Sequence, residues 1–159
     1  MTSFLEQLAK EWFEFQGLFV RNNAKFGRLA HGGWKGEIDL LILDTAEGTV
    51  THVETSSDAD TWSRRRERLG KKFRDAEDYY QEVLPRVVAV SRPVIKRAIV
   101  GTSLNAKESL GLPDVQETSI PAFVAEITES LKKTHPMRSA IPESWPLLRA
   151  MQFALTWRK

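Results

Sequence analysis

Apolar residues fall in blocks along the chain, and their spacing switches from helical to alternating and back, marking the elements. Leu5, Leu8, Ala9, Trp12 and Phe15 share one face of a helix. Ser3 with Glu6 three residues later forms a capping box at its start, and Gly17 ends it after about Gln16. Leu18 to Phe26 is rich in apolar and β-compatible residues and predicts a strand, followed by a loop with His31, Gly32 and Gly33. Residues 36–44, GEIDLLILD, hold an unbroken apolar run from Leu40 to Leu43, the pattern of a strand covered on both faces. Ala46, Glu47 and Gly48 give a short turn into a third strand over residues 49–57, so these three strands are expected to form an antiparallel meander.

Trp62, Leu69, Phe73, Ala76 and Tyr80 then recur at helical spacing until Pro85, with Asp58 and Asp60 as the simplest caps for that helix. Residues 94–103 read as a strand, residues 115–120 as a short strand, and residues 121–133 as a helix opened by Pro121. Residues 135–159 contain Pro136, Pro142 and Pro146 and end in an apolar segment expected to dock as a helix on the core. The order is αβββαβ with additions, an α/β fold with a mixed central sheet flanked by helices. At 159 residues one domain is expected, with a core over about 3–134 and a docking segment over 135–159.

Composition narrows the chemistry. With 42% hydrophobic and 28% charged residues the chain resembles ordinary folded proteins rather than disordered ones. It contains no apolar run of transmembrane length, and Glu6 sits where a secretory signal would need apolar residues, so the expected location is cytoplasmic with no membrane partner. The absence of cysteine excludes disulfides, a thiol nucleophile and thiolate-bound zinc. Three scattered histidines lack ligand spacing, so any metal is expected to be Mg2+ or Mn2+ held by carboxylates.

The net charge is only +2, but seven of the eleven residues from Arg64 to Arg74 are basic. Such a density can neutralise several phosphates, or it can simply be a solvated helix face. Arg64, Arg65, Arg68 and Lys71 are the candidate DNA contacts.

Phosphodiester hydrolysis uses a cation to polarise the phosphoryl group, and carboxylates on neighbouring rigid strands can fix one. In the second strand Glu37 and Asp39 point to one side, and in the third His52, Glu54 and Ser56 do likewise. A short hairpin would bring Asp39 and Glu54 together. Both sit in strands expected to be largely buried, where an unpaired carboxylate is costly without a cation.

The stretch GEIDLL, followed after a turn by THVETSS, resembles the core of the PD-(D/E)xK nucleases, especially small bacterial proteins similar to Holliday-junction resolvases. The resemblance spans about residues 3–85. It implies a restriction-endonuclease-like fold, a metal held by Asp39 and Glu54, and hydrolysis of DNA. Where that family usually has a lysine two residues after the glutamate, this chain has Ser56. Some members carry the lysine on the following helix, where this chain offers Lys71 and Lys72. Helical phase places Lys71 opposite the apolar stripe and Lys72 on its flank, so Lys72 is the candidate, against the plainer reading of a solvated lysine.

The family also implies an acid from the first helix. Glu6 has the spacing to Gly17, although it can equally serve only the capping box, and Glu11 and Glu14 compete for the role. His52 could reach a water in the site or be a satisfied core histidine, and Glu37 could join the site or face solvent. Trp34, Trp62, Tyr79 and Tyr80 could stack on bases or pack inside. Three functions follow: a metal-dependent deoxyribonuclease, a catalytically degenerate DNA-binding module that Ser56 favours, and a structural domain of a larger assembly. The partners are DNA and, as an option, a second copy in a homodimer.

Overall fold

The computed structural model describes residues 3–85, 93–101 and 107–158. The elements are α1 (Phe4–Phe15), β1 (Phe19–Arg28), β2 (Trp34–Asp44), β3 (Thr49–Ser56), α2 (Trp62–Ala76), α3 (Tyr80–Val83), β4 (Ile95–Val100), β5 (Val115–Thr118), α4 (Ile120–Leu131) and α5 (Pro146–Thr156). The expected order is present. The expected single helix to Leu84 is interrupted by a 3-10 turn at Glu77–Tyr79, while Tyr80 and Val83 beyond it stay buried. Positions 102–103, the end of the expected fourth strand, lie outside the described residues.

The five strands form one mixed sheet in the order β1-β2-β3-β4-β5. β1, β2 and β3 are antiparallel neighbours, and β3, β4 and β5 run parallel. On the side toward β1, β2 is paired along its length to Arg28↔Trp34, whereas its pairing with β3 stops at Leu40↔Val53. β3 runs on beside β4 as far as Ser56↔Val100. The two central strands therefore fork just beyond Leu40 and Val53, and Asp39 and Glu54 are the next residues on the two branches.

Both faces of the sheet are covered, which is why Leu40 to Leu43 is apolar without alternation. On one face α1, α4 and α5 supply Leu8, Trp12, Phe123, Ile127 and Leu148 against Leu40, Ile42, Val53 and Ile99. On the other, Ala76, Tyr80 and Val83 pack on Leu41 and Val50, and Leu69 and Phe73 on Ala98 and Val100. Gly36 is glycine for a packing reason: a Cβ there would stand 2.4 Å from the ring of Phe26.

The C-terminal helix docks as expected, and Glu11 fastens it. Its Oε2 accepts from the backbone N–H of Leu147 at 2.8 Å and of Leu148 at 3.0 Å, neutralising the start of α5. Among the described residues no helix is long and apolar enough to cross a membrane.

Candidate active site

At the fork the backbone and side chains of the two strands hold each other. Asp39 Oδ2 accepts from the Thr55 N–H at 2.9 Å and from Thr55 Oγ1 at 3.1 Å. Glu54 Oε1 accepts from the Asp39 N–H at 3.4 Å. The third member arrives from α2: Lys72 Nζ lies 2.6 Å from Asp39 Oδ1 and is also ion-paired with Glu54 Oε2.

Glu54 is fully buried. Taking an ion out of water costs several kcal/mol, so the shared ammonium is what makes two carboxylates tolerable in one place. Burial first, and then the neighbouring Asp39, push the Glu54 carboxyl well above its ordinary range, with Lys72 acting against them. Lys72 shows the converse. Burial alone would favour its neutral form, but Glu54 and Asp39 outweigh that and move it upward, so it stays a cation.

Helical phase accounts for which lysine reaches the site. Thr61 caps α2, its hydroxyl accepting from the Arg64 N–H, so Asp58 and Asp60 are not the caps. Along α2 the residues Arg65, Leu69, Phe73 and Ala76 face inward, and Lys72 rises on the flank of that stripe. Lys71 points to solvent and pairs with Asp75.

Glu6 completes the capping box with Ser3, as the sequence indicates, and it also reaches the site. Its Oε2 accepts from the Ser3 N–H at 3.4 Å, whereas its buried Oε1 has no hydrogen-bond partner. Burial, then Asp39 and to a lesser extent Glu37, raise its pKa. The competitors are accounted for elsewhere: Glu11 caps α5, and Glu14 accepts from Trp145 Nε1 at 3.1 Å.

Ser3, Glu6, Asp39, Thr55, Arg68 and Lys72 line a cleft of about 300 Å³. A second opening of about 210 Å³ lies across Lys72 and is lined by Lys35, Glu37, Arg68, Lys71 and Asp75. Glu37 thus belongs to the neighbouring opening rather than to the Asp39 cleft.

Ser56, where the resembled family has lysine, belongs to a brace. Its hydroxyl donates to Asp58 Oδ2 at 2.8 Å and accepts from Arg65 Nε and Arg68 Nη2, both at 3.0 Å. Arg65 also donates to the Asp58 carbonyl at 2.7 Å and to Asp58 Oδ1 at 3.1 Å. Slight burial works against the Asp58 charge, but the bonds from Ser56 and Arg68 prevail and hold its pKa at about 2.

The brace splits the basic cluster. Arg65 is only 5% exposed, so it is an internal strut, and the expectation that it contacts DNA is corrected. Arg66 donates to the carbonyls of Ser109 and Leu110. Arg64, Arg68 and Lys71 remain exposed, with Arg68 at the mouth of the cleft.

Behind the carboxylates lies a chain that sequence reasoning reached only in part. His52 is fully buried, with Nε2 at 2.7 Å from Glu54 Oε1 and Nδ1 at 2.8 Å from the Tyr80 hydroxyl. Burial, and after it the charges of Lys72 and Lys96, lower its pKa to about 3, so the contact with Glu54 is a hydrogen bond of a neutral imidazole and not an ion pair. His52 is the satisfied core histidine, and Tyr80 is an internal ring rather than a base-stacking one. The alternation of β3 placed His52 beside Glu54, but nothing local signalled the tyrosine.

Among the described residues no group of three or more His, Asp or Glu side chains is gathered closely enough to hold a metal ion by itself. Magnesium is commonly held by one or two carboxylates, with water and substrate phosphate completing its shell. Two carboxylates sharing one cation, beside an orphaned Glu6 oxygen, fit that donor chemistry. No protein-family model, no curated protein and no solved structure matches this chain.

Proposed function

We propose that the chain is a divalent-metal-dependent nuclease that hydrolyses DNA phosphodiester bonds, with a restriction-endonuclease-like core whose lysine has moved from β3 to α2. The observation that carries this reading is the convergence of Lys72 on Asp39 and Glu54 at the fork. Three elements bring one cation and two carboxylates together, with Asp39 and Lys72 lining an open cleft and Glu54 fully buried beside them. The proposed setting is the cytoplasm, and every named group comes from one chain.

Asp39 and Glu54 would hold Mg2+ or Mn2+. When bound, such an ion polarises a phosphoryl oxygen and lowers the pKa of the attacking water. Lys72, kept charged by its two neighbours, would orient that water and offset charge developing on the phosphate. Arg68 at the mouth, with exposed Arg64 and Lys71, would bind flanking phosphates without reading bases. Glu6 would accept a proton or a hydrogen bond from water through its unpartnered oxygen.

A second reading, a degenerate DNA-binding module, draws on the lack of a three-acid cluster among the described residues. Incubation of supercoiled plasmid with Mg2+ or Mn2+ separates the two. Nicking that disappears with chelator and in Asp39→Asn supports the nuclease. Retained DNA binding with no cleavage in either metal supports the module.

A further inference from the structure

We propose that His52 and Tyr80 form a positioning relay that fixes Glu54, so that one carboxylate oxygen is committed to the protein and the other is presented to a cation. The inference rests on the metal-site reading above and adds to it two residues that touch neither the cleft nor a substrate.

The geometry runs in one line. The Tyr80 hydroxyl is 2.8 Å from His52 Nδ1, and His52 Nε2 is 2.7 Å from Glu54 Oε1. A neutral imidazole has one N–H and one acceptor nitrogen. With Glu54 Oε1 accepting from Nε2–H, Nδ1 is left to accept from the tyrosine hydroxyl, so Glu54 and Tyr80 together match a single tautomer. Oε1 also receives the Asp39 N–H, which leaves Oε2 for the Lys72 ammonium. A carboxylate gripped at one oxygen cannot swing, and outer hydrogen bonds of this kind are worth about 10–100-fold in metal affinity.

The packing argues against mere filling. The His52 ring lies tilted against Phe73, with centroids 4.7 Å apart, and meets Tyr80 edge-on at 5.6 Å. An aliphatic residue would occupy that space without the cost of burying two polar side chains, and the polar pair is satisfied only by ending on Glu54.

The test is Mn2+ binding measured by calorimetry and by electron paramagnetic resonance on the intact chain. The variants are Tyr80→Phe, His52→Leu and His52→Gln, with Asp39→Asn as reference. Tyr80→Phe and His52→Leu should weaken Mn2+ about 10–100-fold. His52→Gln, which can return an N–H near the same place, should recover much of the loss. Should His52→Leu fail to fold, Tyr80→Phe, which loses one hydroxyl, still decides. Mn2+ binding that depends on Asp39 but is unchanged in Tyr80→Phe and His52→Leu would overturn the relay alone. Absence of any Asp39-dependent Mn2+ binding would overturn the metal site and the relay with it.

Discussion

The Lys72 ammonium on α2 lies 2.6 Å from Asp39 Oδ1 on β2, although the two residues are far apart in sequence. Lys72→Met keeps much of the stem's packing while deleting the charge. Cleavage should fall by about 10²–10³-fold, the range for losing one donor to developing charge. Lys71→Met should be nearly silent, because Lys71 pairs with Asp75 on the exposed side of α2. Plasmid-nicking rates for the two variants check this, and equal rates would reject the assignment of Lys72.

The same substitution has a folding consequence. Removing one partner of a buried pair costs about 3–5 kcal/mol when the other is left charged. Lys72→Met should therefore lower the melting temperature at neutral pH, and adding Glu54→Gln should restore much of it. Calorimetry on the single and double variants would show this as non-additivity; purely additive effects would mean the pair is not coupled.

Two arginines one residue apart should behave differently. Arg65→Met breaks bonds to Ser56 and Asp58 and should destabilise the fold by about 2 kcal/mol. Arg64→Glu, at an exposed position, should leave stability unchanged and weaken DNA binding most at low salt. Denaturant melts and filter binding at several salt concentrations measure both. A stability loss at Arg64 and none at Arg65 would contradict the brace.

The brace is also a titrating element. Asp58 has a folded pKa of about 2, below its ordinary 3.8, so it contributes stability that is full above 3.8 and is lost as pH falls toward 2. Wild type and Asp58→Asn should differ in melting temperature at pH 6 and converge near pH 2. A constant difference across that window would show that the Asp58 charge plays no part.

Much of this architecture was legible in the chain. The Leu40 to Leu43 run, the short turn at 46–48 and the alternation of β3 place Asp39 and Glu54 on adjacent strands, and helical phase alone separates Lys72 from Lys71. Local pattern could not reveal that the strands fork beyond Leu40, because the fork depends on where β4 pairs with β3. Nor could it reveal that Arg65 turns inward. A run of basic residues looks alike whether a guanidinium meets solvent or, as here, Ser56 at the end of β3 and Asp58 just beyond it. Tyr80 sits on the predicted apolar stripe, but its hydroxyl contact to His52 spans 28 positions and has no local mark.

The most direct measurement is anomalous diffraction from a crystal soaked in Mn2+. The account predicts one manganese peak contacting carboxylate oxygens of both Asp39 and Glu54, absent in Asp39→Asn. A fully soaked crystal without a peak there, or with manganese bound elsewhere and Lys72 still bridging the two carboxylates, would contradict it.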